Sequence, residues 1–177
     1  MQPTSRRHFL LLATAGTGAL AALAARPRRA ALPLVRRTAW ALGTKVSIQV
    51  RHGSTLKAAS AIDAALAELA LVERLMSIYQ PESQLSRLNR SGCLRQPHPY
   101  LVAVLRHAQE VARQTEGAFD ATVQPLWELF AAAARTGRLP TADQVAAARG
   151  LVDWRRVQVA GAEIRLLQPQ MKITLNG

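Results

Sequence analysis

A chain of 177 residues, 49% of them apolar, can bury the core of one ordinary domain and is no disordered tail. Its 23 basic and 11 acidic side chains give +12, but seven of the arginines precede residue 38 and no acidic residue precedes Asp63, leaving 16 against 11 thereafter. The scattered charge suits a membrane surface or a phosphate-bearing ligand and counts against nucleic-acid binding, while the single cysteine, Cys93, excludes an internal disulfide framework and a cysteine-based metal site.

Arg6-Arg7 precedes a mildly apolar run from Phe9 to about Ala25 that contains Thr14, Gly16, Thr17 and Gly18. Paired arginines before a weakly hydrophobic stretch mark a twin-arginine export signal over residues 1–24, with Ala22-Leu23-Ala24 as a small-x-small cleavage site. The expected partner is the twin-arginine machinery, and the expected location is the periplasm or cell envelope. The alternative is an uncleaved inner-membrane anchor, although the run is shorter than the ~20 residues a spanning helix needs. Residues 25–37, rich in Arg, Pro and Ala, are expected to be a linker.

From residue 38 the pattern is that of a folded domain. Val46, Ile48 and Val50 alternate with polar neighbours as in a half-buried strand, with Thr38 to Leu42 as its partner and a kink at Gly43. From Ser54 to Met76, Ala58, Ile62, Ala65, Leu66, Leu69, Val72 and Leu75 recur at helical spacing. A loop at Tyr79 to Ser83 leads to a short helical turn through Leu85 and Leu88. A second long helix spans Pro99 to Glu116, with Gly117 just past its end, and a third runs from Val123 to Arg135 with Pro125 in its first turn. Thr141 and Gln144 form a capping box for a short helix ending near Gly150. A hairpin turning at Gly161 pairs Val157–Val159 with Glu163–Leu167, and Met171 to Leu175 is expected to be a further strand. Strands, then helices, then strands give an α+β domain with a mixed or antiparallel sheet packed by helices.

Four segments go beyond fold class: Leu42-Gly43-Thr44-Lys45-Val46; Met76-Ser77-Ile78-Tyr79 with Ser83 to Asn89; Gly117-Ala118-Phe119-Asp120-Ala121-Thr122-Val123 with Pro125-Leu126; and Ile173-Thr174-Leu175-Asn176-Gly177. In this order and spacing the chain resembles the N-terminal part of the ApbE family of FAD:protein FMN transferases. The resemblance implies transfer of the FMN moiety of FAD to a threonine of an acceptor flavoprotein, with Mg2+ and release of AMP. It also implies a domain that continues past Gly177, so that this chain alone is expected to be inactive. The same family includes Mg2+-dependent FAD hydrolases, and a non-catalytic exported FAD-binding module is a further alternative.

Residue by residue, the resemblance places FAD contacts at Leu42, Tyr79, Ala118, Phe119, Asp120 and Thr174, and a magnesium-ligating backbone carbonyl at Gly177. Leu42 stands where methionine is common, and Thr174 where some members carry aspartate. The chemistry is reasonable: small residues let a flat ring approach, an aromatic ring stacks on it, and a carboxylate accepts from its N–H groups. In the structural alternative Phe119 is a core residue, Asp120 an N-cap, and Tyr79 a plug at the end of the core. Ser83, Ser86 and Asn89 are expected to cap and orient the short turn. No catalytic base stands out among His52, His98 and His107.

Overall fold

A computed structural model describes residues 31–175; the proposed export signal, residues 25–30 of the expected linker, and Gly177 lie outside these residues. Two antiparallel strands open the described chain, β1 (Leu34–Ala41) and β2 (Thr44–Arg51). The strand therefore begins inside the stretch expected to be linker, which on the described side ends at Pro33 rather than Arg37. Pairing with β2 explains this: Val35 lies opposite Val50 and Arg37 opposite Ile48. The Leu42-Gly43 turn has φ of 54° and 72°, the positive values that tight two-residue hairpin turns favour.

The face of this hairpin that carries Val35, Ala39, Val46, Ile48 and Val50 is half buried and packs on α1 (Thr55–Met76), where Arg37 pairs with Asp63. Ser54 caps α1 by accepting from the Lys57 N–H at 3.3 Å. After Ser77 the chain bends, because the Ser77 carbonyl accepts from the hydroxyls of Ser83 (2.5 Å) and Ser86 (3.1 Å). The expected helical turn is a two-turn helix, α2 (Gln84–Ser91), capped by Ser83.

A strand not foreseen from the residue pattern, β3 (Cys93–Arg95), pairs with β5 (Glu163–Leu166), which in turn pairs with β4 (Val157–Ala160). Three residues with one buried apolar side chain, Leu94, carry no visible period; the pairing is tertiary. Around this sheet lie α3 (Pro99–Gln114), α4 (Gln124–Thr136) and α5 (Ala142–Arg149), the last with the expected capping box. Leu85, Leu88, Leu101, Leu105, Ile164, Met171 and Ile173 form the fully buried centre of the core. No described helix is long and apolar enough to cross a membrane.

Met171 to Leu175 corrects the expectation of a strand: these residues join no ladder. Their backbone is held instead by a side chain and a loop. Asn89 brackets Ile173, its Oδ1 accepting from the Ile173 N–H (2.7 Å) and its Nδ2 donating to the Ile173 carbonyl (2.8 Å). The next N–H, of Thr174, donates to the Ala121 carbonyl (2.8 Å).

Candidate functional site

The bend between α3 and α4 starts earlier than expected. The helix ends at Gln114 because Glu116 and Gly117 both take positive φ, 52° and 87°. The Gly117 N–H reaches back to the Ala112 carbonyl (2.8 Å), and the Ala118 and Phe119 N–H groups go to Thr115, on its carbonyl (2.9 Å) and its hydroxyl (3.1 Å). With their N–H groups turned inward, Ala118 and Phe119 leave their side chains outside; Phe119 is 43% exposed, so it is no core residue.

Asp120 does the opposite. Its Oδ1 accepts from both the N–H (2.8 Å) and the hydroxyl (2.6 Å) of Thr122, and its Oδ2 accepts from the Trp154 N–H (2.9 Å). The Thr122 hydroxyl, fully buried, accepts in turn from the Asp153 N–H (2.9 Å). One carboxylate thus staples the bend to the start of the 3-10 turn Trp154–Arg156 that precedes β4. Asp120 is not the N-cap of α4: that position is Val123, which has no capping side chain. What Asp120 retains for a ligand is lone-pair capacity on Oδ2. The roles of Thr122 and Trp154 left no local trace in the sequence, since the Trp154 contact spans 34 residues.

On the other side of the bend lies a groove of about 240 Å3 lined by Ile78, Tyr79, Ser86, Asn89, Gln124 and Lys172, among others. Tyr79 stands at the exit of α1, 72% exposed, and plugs no core. In the floor, Glu128 takes the Lys172 ammonium on Oε2 (2.7 Å) and the Gln124 amide N–H on Oε1 (3.2 Å). A larger groove along α4, α5 and β5 shares Asn89, Arg90, Glu128 and Lys172 with it, but not Tyr79.

The residues expected to touch FAD are therefore brought together in part. Ala118, Phe119 and Asp120 share one bend, and Thr174 is tied to that bend through Ala121. Tyr79 faces the adjoining groove, whose floor is formed by Gln124 immediately after the bend. Leu42 stands apart at the tip of the β1–β2 hairpin, 49% exposed, on an element that packs chiefly against α1. Gln124, Glu128 and Lys172 were not foreseen; an amide beside a proline in a first helical turn carries no distinctive pattern.

The histidines have plain roles. His52 Nδ1 accepts from the Ser54 N–H (3.0 Å), His98 caps α3, and His107 is exposed on α3. Among the described residues no three His, Cys, Asp or Glu side chains are grouped to hold a metal ion. The magnesium ion implied by the resemblance therefore finds no fitting ligand set there.

The ApbE family model matches residues 42–177. The fold is similar to the apo form of the flavinyl transferase ApbE of Pseudomonas stutzeri, with a TM-score of 0.69 and 20% identity over 81% of this chain and 47% of that one. It is similar to a mutant of the flavin transferase ApbE from Vibrio cholerae (0.69, 22%, 81% and 51%) and to the ApbE protein of Thermotoga maritima (0.69, 21%, 81% and 47%). No curated protein matches the chain. The chain spans about half the length of these structures. With the family match covering most of the sequence, the chain belongs to the ApbE family.

Proposed function

We propose that this protein transfers the FMN moiety of FAD to a threonine of an acceptor flavoprotein. The threonine oxygen forms a bond to the FMN-side phosphorus, the phosphorus–oxygen bond to the AMP side breaks, AMP leaves, and the hydroxyl proton passes to a base. Dependence on Mg2+ belongs to the proposal through family membership. No fitting ligand set stands among the described residues, and the role of this chain's own residues in the proposal is binding and positioning.

One observation carries that part: a bend that exposes Ala118 and Phe119, stapled by Asp120, adjoins a groove flanked by an exposed Tyr79. Two exposed aromatic rings and a small residue offer flat apolar contact to a flavin or an adenine. Thr174, tied to the same bend, and Leu42 complete the proposed contacts, and Asp120 acts chiefly as a positioning residue. Fixed loops of this kind favour transfer because misplacement of the reacting groups by an ångström is expensive. The reading includes export by the twin-arginine machinery to the periplasm or cell envelope, supported by Arg6-Arg7 and the apolar run behind them.

The test is incubation of the full-length protein with FAD, Mg2+ and a flavinylation acceptor domain, followed by mass spectrometry of the acceptor. The expected result is an added FMN mass with stoichiometric AMP. Free FMN and AMP beside an unmodified acceptor would mean hydrolysis, and intact bound FAD would mean a binding module; either result defeats the transfer reading.

A further inference from the structure

Gln124 is 5% exposed, and its side-chain carbonyl Oε1 is buried with no hydrogen-bond partner among the described residues. The amide cannot be turned over to cure this. Its NH2 group donates to Glu128 Oε1 (3.2 Å), an oxygen of a carboxylate whose other oxygen, Oε2, pairs with Lys172; an ionised carboxylate only accepts, so the carbonyl must point the other way. A buried acceptor without a donor destabilises a fold, and such groups are rare enough to require a reason. Gln124 also lines the groove flanked by Tyr79.

We propose that Gln124 is a specificity-determining residue of that groove, its carbonyl accepting a hydrogen bond from an N–H group of a planar heterocycle seated beside Tyr79. The inference rests on the FAD reading given above and assigns one of its contacts. The groove supplies an aromatic face from Tyr79 and one buried acceptor from Gln124, a pairing that selects a flat ring bearing an N–H over one that lacks it. Glu128 is the movable part. It holds both the Gln124 amide and the partly exposed Lys172, so a shift of its carboxylate toward Lys172 frees the amide to meet the ligand. FAD carries two such donors, the imide N–H of the flavin and the amino group of the adenine. Both present the same chemistry to Gln124.

The experiment compares the full-length protein with Gln124→Leu by calorimetric titration against FAD, riboflavin and AMP, with thermal melting alongside. Leucine removes the orphan acceptor at similar volume, so the variant is expected to melt no lower than the parent while binding FAD about tenfold more weakly, the scale of one lost hydrogen bond in a dry site. Weakening shared by riboflavin and spared by AMP assigns the flavin imide; the reverse assigns the adenine. Should Gln124→Leu fail to fold, the unbranched Gln124→Met takes its place. Unchanged affinity for all three ligands overturns the inference while leaving the FAD reading intact. A parent protein that ignores FAD overturns both.

Discussion

The β1–β2 hairpin and the 117–123 bend both carry segments on which the family resemblance rests, yet they are built in opposite ways. In the hairpin the main-chain ladder does the holding: every residue from Leu34 to Ala41 has a partner from Arg51 to Thr44, and the side chains are mostly half exposed or exposed. In the bend no ladder exists; two main-chain bonds start the turn, and side chains fasten it, Thr115 from one end and Asp120 and Thr122 from the other. A region held by its own backbone tolerates side-chain change. One held by a carboxylate does not, which is why this loop can be both exposed and fixed.

The largest effect should follow from cutting into the buried core, on which the hairpin does not depend directly. Leu105→Ala, in a fully buried site, is expected to lower stability by about 2–5 kcal/mol, against about 1 kcal/mol or less for Ile48→Ala in the half-buried hairpin face, as read by urea denaturation. Equal losses would erase the contrast. Next comes Asp120→Ala, which strands two N–H groups and the Thr122 hydroxyl; about 2–3 kcal/mol is expected, with most of the loss retained in Asp120→Asn because one amide cannot accept at both ends. A loss under about 0.5 kcal/mol would show that the bend holds its shape by other means.

A smaller effect is kinetic. The Cys93 thiol donates to Glu163 (3.1 Å), and that bond, with a lesser contribution from desolvation, raises its pKa, so the reactive thiolate is scarcer than in a free thiol. Iodoacetamide should label Cys93 more slowly at pH 8 than it labels free cysteine, and Glu163→Ala should quicken the reaction. Glu110 is held down to about 2 by its bonds from Arg113 and Gln114 on the surface of α3. Its folded pKa lies below the unfolded one, so whatever it contributes is present above about pH 4.3 and is lost as pH falls toward 2. Glu110→Gln should remove that small contribution at pH 7 and leave stability near pH 2 unchanged, so that the acid limb of the stability curve is slightly flatter. The smallest expected change is a gain: Leu42 sits at a φ of 54°, where asparagine is better tolerated, and Leu42→Asn should raise the unfolding free energy by about 0.5 kcal/mol, read by urea denaturation.

The helices were legible because each is governed by its own neighbours. Apolar spacing marks α1, Thr141 and Gln144 announce α5, and Pro125 marks the first turn of α4. The ends and connections were less so. α3 stops two residues early through the backbone of Glu116, and the linker yields to β1 because Arg51 and Val50 offer it partners. Of the candidate site, Ala118, Phe119, Asp120 and Thr174 were named one by one through the resemblance; that Thr174 is tied to the bend of the other three is a finding of the structure. The Asp120–Trp154 bond and the Gln124–Glu128–Lys172 set arise only when distant segments meet, and no local pattern encodes them.

Asn89 and Ile173 are 84 positions apart, and the two hydrogen bonds between them have a consequence for the order in which the molecule can form. Until the last described residues have been synthesised, the amide on α2 has nothing to grip, and Met171 and Ile173 are not there to fill the centre of the core. Closing so long a loop is slow relative to helix formation, so α1 and α3 can be present well before the core seals. A nascent chain released at residue 170 should expose that apolar seam and attract chaperones, whereas one extended through residue 175 should begin to hide it.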